Sequence, residues 1–214
     1  MHLETRGASA WAMGADTFIT MPNWCENYVT ITGPAGSLQT FRECLGSETI
    51  AQGEDRTLLG TFLPRPVELD GTSMPNIAPF SQQAFEKASQ GYPAAGADEL
   101  ASMQAANDAW AADCAELVRI CGYDNWYDWS TANWGTKWTD DLFNIEYRPR
   151  SVAFGMTTAW APPIAGLVTI SAVTGLTIRN RWFEAGMGMK GIFAVRAGVV
   201  ERDDVFQYRG YRGG

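Results

Sequence analysis

Lys137 stands between Trp134 and Trp138 in the run NWGTKW at 133–138, an arrangement suited to holding a planar or charged group. Indole faces attract cations and stack on flat π-systems, and the ammonium adds three donors on a point charge. Glu184 supplies the opposite charge, and Gly186, Met187 and Gly188 follow it closely. Glycines there let backbone N–H groups approach a ligand. With Trp24 and Trp160 these residues form a candidate binding set: Trp24, Trp134, Lys137, Trp138, Trp160, Glu184, Gly186, Met187 and Gly188. Its chemistry would be stacking and charge-assisted hydrogen bonding. The competing reading makes Lys137 and Glu184 an ion pair that pins one segment to another, with the tryptophans as core. Aromatic residues at helical spacing are more often packing than pocket, which favours that second reading.

Other chemistries have fewer residues to work with. The one histidine, His2, sits in a doubtful leader at 1–20, which argues against triads and dyads that need an imidazole. Cys25, Cys44, Cys114 and Cys121 contain no CxxC pair and read as reduced core thiols. GMGMKG at 186–191 lacks the ending of a phosphate loop and does not open a helix. Asp140-Asp141 and Asp203-Asp204 are adjacent acids without further ligands, read as solvated loops rather than metal sites. No catalytic residue, metal or cofactor is therefore assigned.

The elements that must position these residues follow from periodicity. NYVTIT at 27–32 alternates as a strand, and Ser37 opens a helix carrying Leu38, Phe41 and Leu45 up to Gly46. LLGTFL at 58–63 reads as a second strand closed by Pro64 and Pro66. Residues 64–97 are irregular, with a short helix near 81–90. Helical periodicity runs from Asp98 to Gly122, and a second helix covers 124–134, with Tyr123, Trp126, Tyr127 and Trp134 on one stripe. Residues 152–160 alternate large and small, Pro162-Pro163 starts a helix ending at Gly175, and 176–183 and 191–197 are strands. This order predicts an α+β ferredoxin-like sandwich, two split βαβ units sharing an antiparallel sheet, with a helical, Trp-rich insertion between its halves. The expected organisation is a leader, tag or disordered tail at 1–20, a first half at 21–66, an insertion at 67–149, a second half at 150–200 and a tail at 201–214.

Charge narrows the partners. The net charge is −8, with 98–146 carrying −8, 147–214 carrying +5 and 1–97 carrying −5. An acidic chain is a poor general polyanion binder, so nucleic acid is not the expected partner. No apolar run reaches the length that crosses a bilayer, and the first twenty residues lack a signal's apolar core, so a cytoplasmic location is expected.

Three regions taken together resemble the YubB-like proteins of phages and plasmids: MPNWCENYVTITGP at 21–34, NWGTKW at 133–138, and TAWAPP at 158–163 followed by FEAGMGMKG at 183–191. The resemblance runs from 21 to about 197 in order and implies a ferredoxin-like domain and a start at Met21. It transfers no catalytic residues, since the family has no defined activity. The alanine-rich stretch 94–115 and the glycine-rich basic tail depart from it. The expectation is a non-catalytic accessory protein binding a host protein in the host cytoplasm, in counter-defence or host modulation. The alternatives are a binder of a small nucleotide-like ligand and a nucleic-acid-binding protein.

Overall fold

The computed structural model describes residues 23–46, 56–73, 77–91 and 95–208. The expectations for 1–20 and for 209–214 lie outside the described residues. Strand β1 (Trp24–Thr32) sends Cys25, Asn27, Val29 and Ile31 inward while Trp24 and Tyr28 stay exposed, as period-two alternation requires. Helix α1 (Ala35–Leu45) buries Leu38, Phe41 and Leu45 and stops at Gly46, whose φ of 88° suits glycine. It begins behind Pro34, two residues before the Ser37 expected to cap it.

The segment expected as a second strand is instead helix α2 (Leu58–Phe62). Thr57 caps it, its hydroxyl accepting from Gly60 N at 3.1 Å, and Asp140 accepts from the amides of Leu58 and Leu59. These bonds satisfy N–H groups that a helix start leaves without partners. A 3-10 turn follows at Val67–Leu69, then α3 (Gln82–Gln90), α4 (Ala97–Cys121) and α5 (Trp126–Asn133). Ser81 caps α3 and Asn125 caps α5. The apolar face read onto α4 is largely covered: Met103 is buried, Leu100, Trp110, Cys114, Leu117 and Cys121 are half-buried, and only Val118 of that face is exposed.

The remaining elements are β2 (Asp141–Arg148), β3 (Ser151–Ala159), α6 (Ile164–Thr174), β4 (Thr177–Glu184), β5 (Met189–Arg196) and β6 (Val199–Gln207). They complete a mixed α+β fold around a six-stranded antiparallel sheet, ordered β2-β3-β1-β4-β5-β6. Two expected boundaries are corrected. Residues 141–148 are a strand, so the insertion lies between α1 and β2, inside the first strand–helix–strand unit. Residues 201–207 are not tail but the outer strand of the sheet. Both errors come from edge strands whose apolar pattern is weak: β6 reads VVERDDVFQ and buries little.

On one face of the sheet, α1 packs against β3 and α6 against β4, β5 and β6. The insertion joins this helical layer, with α5 against α6. The interior holds Phe41, Phe154, Met156, Leu167, Ile170 and Phe193 among others. Among the described residues no helix is long and apolar enough to cross a membrane.

Candidate functional site

Most of the predicted site residues gather at one end of the sheet, where β1 begins and β3 and β4 end. Trp24 pairs with Ala159, and Cys25 pairs with both Thr158 and Glu184. Trp160 follows directly after Ala159, but its side chain does not continue the buried row of Val152, Phe154, Met156 and Thr158 as expected. Its φ is 72°, and Ala161 N donates to Ala159 O across it at 2.9 Å. An i→i+2 bond around a positive φ is the rare, strained form of the γ-turn. Trp160 N donates to Asn23 O at 2.9 Å, and the Thr158 hydroxyl donates to Ala161 O at 2.7 Å, holding the turn from both sides. The result is two surface indoles at one sheet end, Trp24 at 52% and Trp160 at 42% exposure.

Glu184 lies in the same region but is buried and fully engaged. Its two oxygens accept from Gly186 N at 2.7 Å and Met187 N at 2.5 Å. It caps its own turn and is not displayed to a ligand. Gly186 is small for a structural reason, since a Cβ there would fall 2.3 Å from Asn23 Nδ2. Gly188 provides a φ of 64° and accepts from Tyr208 N at 2.6 Å. Met187 is left exposed at the tip.

Lys137 and Glu184 do not form the expected ion pair. The Lys137 ammonium lies 4.6 Å from the Trp138 ring centroid and 5.9 Å from those of Trp126 and Tyr127. Three aromatic faces thus surround the chain's own cation, so the cage is already filled. Trp134 is not part of it. It is buried, meets Trp129 edge to face at 5.3 Å, and donates its indole N–H to Leu63 O at 2.8 Å. The stripe read onto α5 is corrected with it: Trp129, outside that stripe, is core, and Trp126 and Tyr127 are half-buried. The 134–138 loop still reaches the sheet end, because the Thr136 hydroxyl donates to Ala159 O at 2.8 Å and Trp134 O accepts from Gly166 N.

Beneath the surface tryptophans lies a buried polar row. Asn27 donates to Cys25 O at 3.1 Å and Thr158 Oγ1 at 3.0 Å, and Asn180 donates to Asn27 Oδ1 at 2.8 Å. Burial pushes the Cys25 thiol up to about 12, so it stays protonated and is no nucleophile. Cys44 is exposed, and Cys114 and Cys121 are half-buried, against the expectation that all four thiols are core. Asp140, read as a solvated loop acid, is buried. Asn23, Trp126, Tyr127 and Thr136 were missed as site residues. Only Trp126 and Tyr127 carried a signal, their aromatic density. A surface depression lined by Gln83, Glu86, Lys87, Gln90 and Gly91 lies on α3 and contains no candidate residue.

The class defined here is a mixed α+β protein with an aromatic surface at one end of its sheet. No family model matches the chain, and no curated protein matches it. A solved structure similar to it is that of protein api92 from Yersinia pseudotuberculosis, of the family DUF1281, at a TM-score of 0.45 and 16% identity over 89% of this chain and 99% of that chain. At that level the likeness carries no argument.

Proposed function

We propose that the chain is a non-catalytic accessory protein of a phage or plasmid, binding a host protein in the host cytoplasm in counter-defence or host modulation. The observation that carries the binding reading is the exposed Trp160 in its strained γ-turn beside exposed Trp24. A bulky residue at positive φ costs on the order of 1–3 kcal/mol and persists where the surroundings impose it, often at a functional position. Tryptophan is also the residue type most enriched among those that dominate binding energy at protein interfaces. The reactive groups nearby are occupied or silent: Glu184 caps its turn and Cys25 stays protonated. Origin and location rest on the YubB-like segments at 21–34, 133–138, 158–163 and 183–191.

A ferredoxin-like reading of the fold belongs to the same proposal. What supports it is the order β2-β3-β1-β4, in which β1 to β2 and β3 to β4 each step over one antiparallel strand through a helical connection. Strands β5 and β6 then extend the sheet beyond β4.

The test is native mass spectrometry of protein purified gently from its own host cells, alongside a Trp24→Ala, Trp160→Ala double variant. A host protein that accompanies the parent and leaves the double variant is the expected result. A host protein retained by the double variant rejects the site. An added mass on the scale of a nucleotide replaces the reading with small-ligand binding. Turnover of a nucleotide substrate, lost on Glu184→Gln, refutes the non-catalytic assignment.

A further inference from the structure

The face of the sheet opposite the helices, at whose edge Trp24 stands, carries a further pattern beyond the pair Trp24 and Trp160. Along β1 it presents Glu26, Tyr28 and Thr30; along β4, Arg179, Arg181 and Phe183; along β5, Lys190 and Ile192; along β6, Arg202, Asp204 and Phe206. The registers align these into cross-strand rows. Tyr28 faces Arg181, which faces Ile192 and then Asp204. Glu26 faces Phe183, which faces Lys190 and then Phe206. Thr30 faces Arg179, which faces Ala194 and then Arg202. Tyr28 and Phe206 are each 44% exposed, and half-buried Phe183 lies 5.8 Å from the Tyr208 ring.

The charges on this face are not equivalent. Arg202 is neutralised by Asp204 at 2.6 Å, Arg196 by Glu201 at 2.7 Å, and Arg148 by Glu146. Arg181 is exposed on β4 in the row of Tyr28, Arg179 is exposed in the next row away from Phe183 and Phe206, and among the described residues neither has an ion-pair partner. The acids of 98–146 that dominate the net charge sit largely in the helical insertion, which packs into the layer on the other face. The chain's overall −8 therefore misrepresents this surface.

We infer that this open face binds single-stranded nucleic acid, with bases stacked on Tyr28, Phe183 and Phe206 and phosphates held by Arg179 and Arg181. Directly opposed side chains are about 5 Å apart and diagonal ones about 7–8 Å, so a ring on β1 and a ring on β4 can each take one base with a guanidinium between them. An open antiparallel sheet with exposed aromatics is a recurring platform for unstacked bases. Arginine also suits phosphate by its planar, forked donors. A duplex fits poorly, because this flat face offers no element to enter a groove. Two phosphate contacts at about 0.7 per contact give a salt slope near −1.4, or about sevenfold weaker binding between 50 and 200 mM salt.

The test is fluorescence anisotropy with labelled uridine decamer RNA and thymidine decamer DNA, and with a duplex of the same length. Binding of either single strand, with the predicted salt slope and weaker duplex binding, supports the assignment. Tyr28→Ala should weaken binding about fivefold or more, while Tyr28→Phe keeps the ring and the affinity. Arg181→Ala should halve the salt slope. Trp160→Ala should leave affinity unchanged, which separates this face from the proposed protein-binding site. No binding of either strand at 100 micromolar protein (about the weak end of nonspecific affinity) overturns the inference. So do duplex binding of equal strength and a slope indifferent to Arg179→Ala and Arg181→Ala. Circular dichroism of each variant establishes that the fold is intact.

Discussion

The carboxylate of Asp140 closes the start of the helix at Leu58, 82 residues earlier, accepting from Leu58 N at 2.7 Å and from Leu59 N at 2.8 Å. A buried acid thereby converts a short apolar run into helix and ties the first turn of the insertion to its last residue.

This bond has a pH signature. Burial pushes the Asp140 carboxyl up to about 6, with the Leu58 and Leu59 amides pulling the other way and Asp141 adding to the rise. The ordinary value in an unfolded chain is about 3.9. The native state therefore holds a proton that the unfolded chain gives up first, so this group favours folding most below about 4. That contribution declines as pH rises and is gone above about 6. Urea midpoints measured from pH 4.5 to 7.5 should show this component in the parent and lose it in Asp140→Asn. An unchanged pH slope in Asp140→Asn counts against it. Asp140→Ala, which strands two buried amides, should cost about 2 kcal/mol or more at any pH in that range.

Trp160 permits an ordering test. Trp160→Gly relieves the positive φ and should leave stability within about 1 kcal/mol of the parent, the relief offsetting lost packing and glycine's entropy. Trp160→Ala keeps a Cβ in the same conformation and should be the less stable of the two in chemical denaturation. Equal stability of the two would mean that the turn is not strained.

Glu184 caps the turn at Gly186 and Met187, so Glu184→Ala should lower stability by about 1–2 kcal/mol. Glu184→Gln retains one acceptor oxygen and should fall between. If both variants melt with the parent, the two hydrogen bonds contribute nothing.

Lys137 tests whether its aromatic cage is structural. Lys137→Ala should cost about 0.5–1 kcal/mol, or a melting shift of about 1–4 °C in a chain of this size. Lys137→Arg should retain most of it. A melting temperature unchanged by Lys137→Ala, together with loss of a bound partner, would return Lys137 to the role of ligand contact.

How much of this was legible varied with how local the cause was. The alternation of Cys25, Asn27, Val29 and Ile31 marks β1 directly, and Leu38, Phe41 and Leu45 mark α1. Pro162-Pro163 and Gly175 bracket α6 because their backbone preferences act in place. LLGTFL carries no such mark, since an apolar run of that length fits strand or helix equally. The aromatic density of 123–138 was evident, but its division between core and surface was not. Trp129 and Trp134 turned inward, and Trp126, Tyr127 and Trp138 turned to Lys137.

What the sequence by itself determined is the mixed α+β class, the main strands and helices of the sheet layer, and a single histidine, at position 2. These depend on periodicity, capping and composition, which act over a few residues. Tertiary structure alone decided that 58–62 is helical, that Glu184 serves its own turn rather than Lys137, and that Trp160 faces outward. It also decided that, among the described residues, Arg179 and Arg181 have no ion-pair partner on the sheet face that carries Tyr28, Phe183 and Phe206. Each of those outcomes depends on a partner brought close only by folding: Asp140 for Leu58, Asn23 for Trp160, and the neighbouring strands for β4.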